Sequence, residues 1–229
     1  GGAPIQLNGQ TTPRFVDWDG DGRRDLLVAA GDGRIWLCRG DRRGALSRPE
    51  PVEAAGRSTW GERSTGASVA DMNGDGLEDL FVGTQAGRLH VYLNRGKRGA
   101  WRFEAEDFQF GLPPGCGARF DVGDLDGDGT LDIVTGEFAG PLRWMRGIPL
   151  GGQADKGPYF EAPERIGQLG EAYNSAPRLR DLEGDGDLDE LDLVRLARVD
   201  LGLLDGRLDG RAAGGEVQIH RRLAREHHG

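Results

Sequence analysis

Apolar residues in this chain fall in short runs separated by polar turns. Leu26-Leu27-Val28, Leu80-Phe81-Val82 and Ile133-Val134 are such runs, with the length and make-up of buried strands. A glycine and an alternating segment follow each of them, at 33–38, 87–92 and 140–145, which reads as a further strand reached through a tight turn. An apolar residue also stands a short way ahead of each run, at Phe15, Val69 and Phe120, and a later segment such as Trp101-Arg102-Phe103 or Tyr159-Phe160 closes the unit. Each unit therefore predicts about four short antiparallel strands. Because proline cannot donate to a ladder, the third unit's strand is expected to start after Pro141 or to lie at an edge. Residues 1–180 lack the three-and-four apolar spacing of helices.

Between the first two strands of every unit lies the same acidic stretch. It reads Asp17-Trp-Asp-Gly-Asp-Gly-Arg-Arg-Asp25, then Asp71-Met-Asn-Gly-Asp-Gly-Leu-Glu-Asp79, then Asp124-Leu-Asp-Gly-Asp-Gly-Thr-Leu-Asp132. A fourth copy, Asp181-Leu-Glu-Gly-Asp-Gly-Asp-Leu-Asp189, has Leu179 ahead of it. The spacing is a steady period of about 55 residues. Four-stranded units repeated at that length predict an all-β fold, a β-propeller of about four blades, as one domain over residues 1–229.

The loops carry the chemistry. Oxygen-bearing side chains at positions one, three, five and nine, with glycine at six for a sharp turn, can wrap one hard cation, and position seven can add its carbonyl. The candidate ligands are Asp17, Asp19, Asp21, Arg23 and Asp25; Asp71, Asn73, Asp75, Leu77 and Asp79; Asp124, Asp126, Asp128, Thr130 and Asp132; and Asp181, Glu183, Asp185, Asp187 and Asp189. Crowded carboxylates repel unless a divalent ion joins them, and a flexible all-oxygen set suits Ca2+ better than Mg2+. Up to four Ca2+ ions are expected, one per loop. Position twelve is Val28, Val82 and Thr135 in the first three loops, so they are not EF-hands, which use a glutamate there.

A ninth-position Asp followed at once by a strand resembles the FG-GAP/VCBS repeat of integrin α-subunit propellers and bacterial surface proteins. The resemblance covers nearly the whole chain. It implies a calcium-binding propeller, secreted or displayed on a cell surface, acting in adhesion or in recognition of a glycan or protein ligand. Members of the family usually have more than four blades. The resemblance thus leaves open a ring of four or part of a seven- or eight-bladed ring, completed by further blades or another chain.

The fourth unit departs from the pattern. Residues 190–215 interrupt it, and the closing strand comes only at Glu216-Val217-Gln218-Ile219-His220. An apolar segment after such a loop is also similar to a dockerin module over 181–200. The match of Ala176-Pro177-Arg178-Leu179 to Thr12-Pro13-Arg14-Phe15 favours an inserted propeller repeat.

Composition narrows the function classes. Forty glycines among 229 residues suit many tight turns. A formal charge of −9 argues against nucleic acid as a partner, and no run approaches the length of a membrane helix. Without an initiating Met the chain reads as a mature or excised segment. Cys38 and Cys116 have no metal-ligand spacing and read as small core residues, with their pairing left open. No nucleophile and base stand in a recognisable setting; His90 and His220 fall in predicted strands, and most carboxylates are assigned to loops. No catalytic residue is assigned. A part of a polysaccharide-active enzyme such as a lyase, or a structural scaffold, are the alternatives to a recognition module. Trp18, Trp60, Trp101 and Trp144 are candidates for exposed aromatic contacts or for the core.

Overall fold

A computed structural model describes residues 7, 9, 11–60, 65–106, 108–112, 119–136, 141–149, 159–168 and 177–179. The first repeat forms β1 (Thr11–Val16), β2 (Asp25–Ala30), β3 (Ile35–Cys38) and β4 (Glu50–Pro51). The second forms β5 (Thr65–Ala70), β6 (Asp79–Thr84), β7 (Arg88–Tyr92) and β8 (Phe108–Gly111). The third forms β9 (Phe120–Gly123), β10 (Asp132–Gly136), β11 (Pro141–Met145), β12 (Gly147–Ile148), β13 (Tyr159–Phe160) and β14 (Glu164–Gln168). No helix occurs among the described residues.

The strands make three antiparallel four-stranded sheets, β1-β2-β3-β4, β5-β6-β7-β8 and β9-β10-β11-β14, consistent with propeller blades; β12 and β13 pair separately. Each acidic loop joins the first two strands of its sheet, and β2, β6 and β10 all begin on the ninth loop residue. The fourth loop at 181–189, the interruption at 190–215, Cys116, His220 and the dockerin-like stretch lie outside the described residues.

Strand alternation gives every sheet two apolar faces, and consecutive sheets stack through them. Leu27, Ala29, Ile35 and Leu37 of the first sheet meet Ala67, Leu80, Val82 and Tyr92 of the second. The opposite face of the second sheet, with Phe81, Leu89 and Val91, meets Phe120, Val122, Ile133 and Met145 of the third. The far face of the third sheet, with Val134, Leu142 and Trp144, receives Leu179.

Some local expectations are corrected. The strand of the third repeat begins on Pro141 itself and lies between β10 and β14. As the first residue of β11, Pro141 loses little from its missing N–H. Trp101 and Phe103 form no strand. They pack on Trp18, with ring centroids 4.1 Å and 6.0 Å away, and the outer strand of that sheet is β8, further along the chain. Tyr159-Phe160 likewise pairs only with β12, and β14 is the outer strand. Trp18, Trp60 and Trp144 are buried and Trp101 is half-buried, so the tryptophans serve the core. Cys38 is buried and free.

The first strands of the sheets meet at one carboxylate. Asp121 of β9 is 1% exposed; its Oδ1 takes the Arg14 guanidinium of β1 and the Ser68 hydroxyl of β5 at 3.0 Å. Its Oδ2 accepts the Leu179 N–H at 2.9 Å. Removing one partner of a buried ion pair strands the other charge, at about 3–5 kcal/mol. Asp121→Ala is accordingly expected to lower unfolding stability by about 3–5 kcal/mol, and Asp121→Asn by less, in urea titrations followed by fluorescence.

Candidate metal centres

The three described loops share one construction. Glycines at positions four and six take positive φ, 72° and 81° at Gly20 and Gly22, 72° and 83° at Gly74 and Gly76, and 72° and 85° at Gly127 and Gly129. Any side chain there would be strained. The reversed backbone turns its amides inward. The first aspartate accepts the position-six N–H: Gly22 on Asp17 at 3.0 Å, Gly76 on Asp71 at 2.8 Å and Gly129 on Asp124 at 2.8 Å. The fifth accepts from position seven, where Arg23, Leu77 and Thr130 donate to Asp21, Asp75 and Asp128 at 2.8, 2.8 and 2.7 Å.

These turns gather the carboxylates. Asp17, Asp19 and Asp21 bring one oxygen each within 4.8 Å of one another, as do Asp124, Asp126 and Asp128. In the second loop Asn73 takes the third position and donates to Asp75 at 3.0 Å. Asp17 Oδ1 and Asp19 Oδ1 are buried with no hydrogen-bond partner among the described residues. Buried carboxylate oxygens without a donor are costly unless a cation meets them. A hard divalent ion therefore fits the donor set of the first loop, and the third has the same acidic triplet.

The ninth residue has a different setting. Asp25, Asp79 and Asp132 are buried beneath their loops. One oxygen of each accepts the N–H of position two, from Trp18, Met72 and Leu125 at 2.9, 2.9 and 3.0 Å. The other accepts an N–H fifteen residues on, from Gly40, Asn94 and Gly147, each at 2.7 Å. A Cβ at Gly40 would come within 2.2 Å of the Arg24 carbonyl, and one at Gly147 within 2.4 Å of that of Leu131. The ninth Asp thus ties the start of the loop to the segment leaving the third strand. Sequence spacing suggests only its place beside the metal triplet, because its long-range partner is a backbone amide without a side-chain signature.

Burial pushes the Asp79 and Asp132 carboxyls up to about 6 against the pull of these two hydrogen bonds each. For Asp79 the charges of Asp75 and Asp71 add to the rise, and for Asp132 that of Asp126. A carboxyl raised by folding contributes stability that is full below its unfolded value near 4 and is lost as pH climbs through about 6. In chelator this contribution falls between about pH 4 and 6, and Asp79→Asn flattens the fall, as read from urea midpoints.

Arginines reach the third loop position from the residue before this anchoring amide. Arg39 Nη1 lies 3.3 Å from Asp19 and Arg146 Nε lies 3.1 Å from Asp126, while Arg23 pairs with Asp21. The corresponding residue of the second repeat is Leu93. A half-exposed guanidinium competing for a ligand oxygen is worth about 0.5–1 kcal/mol. Arg39→Ala and Arg146→Ala are each expected to tighten divalent-ion binding at their own loop by about two- to fivefold, measured by calorimetric titration.

Two comparisons bear on this arrangement. The profile of the FG-GAP-like repeat matches residues 17–82 and 71–135. Over 141 residues the chain is 29% identical to integrin alpha-4 of Xenopus laevis, covering 54% of this chain and 14% of that protein. The chain thus matches a small part of this relative's length.

Proposed function

The chain belongs to the FG-GAP-like repeat family, and from that premise we propose that it is a calcium-dependent, extracellular β-propeller that recognises a protein or glycan ligand in adhesion. The observation that carries the calcium assignment is the first loop, where two buried carboxylate oxygens have no hydrogen-bond partner among the described residues, inside a triplet that brings one oxygen each within 4.8 Å of one another. Asp17, Asp19 and Asp21 hold one ion, with the carbonyl of Arg23; Asp71, Asn73 and Asp75 with Leu77, and Asp124, Asp126 and Asp128 with Thr130, repeat the set. Asp181, Glu183, Asp185 and Asp187 form the fourth. Asp25, Asp79 and Asp132 close the three described loops from beneath, and Asp189 holds the ninth position of the fourth in sequence. When bound, the ion supplies the positive charge that lets each turn close, so its binding energy becomes folding energy.

An extracellular setting suits loops of this kind, whose weak sites need abundant calcium. It agrees with the similarity to an integrin alpha chain. Loops from several sheets gathered at one end of a propeller suit recognition of a large partner.

The test has two stages. Calcium is expected to raise the thermal midpoint above that in chelator, and magnesium at equal concentration to raise it less. In calcium, the chain is then expected to bind selected members of an array of extracellular proteins and glycans and to lose that binding in chelator. Turnover of a polysaccharide, or calcium-independent binding, would count against the reading.

A further inference from the structure

The first acidic loop is covered, and the other two described loops are open. Gly20, at its fourth position, is half-buried, whereas Gly74 and Gly127 at the same position of the second and third loops are exposed. A Cβ on Gly20 would stand 2.5 Å from Cγ and 3.0 Å from Nε of Arg98, and one on Gly74 or Gly127 would meet no described atom within 4 Å. In the opposite direction, a Cβ on Gly99 would lie 2.5 Å from the Asp19 carbonyl oxygen. Two stretches of backbone meet here, and both need glycine at the contact. Trp18, at the second loop position, extends it by packing on Trp101 and Phe103.

The cover comes from the second repeat, where the chain leaving β7 doubles back on itself. Lys97 and Ala100 exchange backbone hydrogen bonds of 3.2 and 2.8 Å across the tip, Arg98-Gly99, and Arg95 N–H donates to the Arg102 carbonyl at 2.9 Å. Gly99 takes a φ of 80° to make the turn. Asn94 pins the base. Its Oδ1 accepts the N–H groups of Gly96 and Arg102 at 3.0 and 3.1 Å, and its own N–H goes to Asp79 at 2.7 Å. Residues 97–100 at the tip are exposed, so the tip can lift while the sheet beneath stays closed.

The oxygens under this cover belong to the cation triplet. Asp17 Oδ1 and Asp19 Oδ1 are buried without a hydrogen-bond partner among the described residues, and no carboxylate oxygen of the second or third loop shares that state. We propose that residues 95–102 form a lid over the first cation site, so that an ion bound there leaves only when the tip lifts and exchanges more slowly than ions in the open second and third loops. The inference rests on the reading of the acidic loops as cation sites and makes those sites unequal. A lid that gates exit sets the rate of release, and the loop beneath it sets the ligands.

Calcium release from the full chain tests it. The calcium-loaded protein is mixed in stopped flow with an excess of a fluorescent chelator, and Asp19→Ala and Asp126→Ala identify the phases of the first and third loops. The first-loop phase is expected to be at least about tenfold slower than the third. Gly99→Ala, whose Cβ would drive the tip off the Asp19 carbonyl, and Asn94→Ala, which frees the base, are each expected to speed that phase at least about tenfold while amide exchange in β6 and β7 stays slow. Gly44→Ala imposes a similar strain, at a φ of 74°, where a Cβ meets no described atom within 4 Å, and is expected to leave the phase unchanged. A first-loop phase as fast as the third, or a slow phase that neither Gly99→Ala nor Asn94→Ala moves, overturns the lid. If Asp19→Ala removes one ion that leaves as fast as the third-loop ion, the cation reading stands and only the lid falls; if it removes none, the cation reading of the first loop falls with it.

Discussion

Three carboxylates held within 4.8 Å of one another in a nine-residue turn form the constraint on which the rest of this molecule depends. Their mutual repulsion opposes the turn. Against it stand two left-handed glycines per loop, a ring of inward amides, and the buried ninth aspartate. That aspartate holds the loop start and the segment leaving the third strand with its two oxygens. The loop geometry and the placement of three strands are consequently one problem, and a divalent ion held in the loop would act on both. Position nine also explains why β2, β6 and β10 all begin on an acidic residue despite being buried strands. The carboxylate is retained there because both its oxygens are used by the backbone.

A second set of constraints acts between sheets. Apolar faces stack the three sheets in order, a non-directional force that does not by itself fix how far the stack turns. Asp121 adds direction. A buried carboxylate that must satisfy a guanidinium, a hydroxyl and a main-chain amide tolerates few arrangements of its neighbours. Loop closure and inter-sheet geometry are thereby controlled by aspartates of different kinds, one set open to cations and the other sealed inside the protein.

Much of this was legible in the chain, for identifiable reasons. The acidic loops and the strands on either side of them repeat with the same residue types at similar offsets, so the first three strands of each of the three described units could be placed from pattern alone. The outer strands could not. β4 is two exposed residues, Glu50 and Pro51, and carries no apolar signal. Trp101 and Phe103 look like a strand because they alternate, yet their rings are drawn to Trp18. Pro141 reads as a strand breaker, but at the first residue of β11 its missing N–H matters little. Asp121 was missed because its partners lie 53, 58 and 107 residues away. A lone acid between Phe120 and Val122 was the available sign, and without a partner in view it has no assigned role.

The central claim is that each acidic loop is a cation site that closes the fold, and a direct count of bound calcium tests it. The chelator-stripped chain is dialysed to equilibrium against calcium and compared with Asp19→Ala and Asp126→Ala. The account predicts one ion per intact loop, up to four, with one ion lost in each variant. A count near zero after dialysis, or a count unchanged by both substitutions, would contradict it.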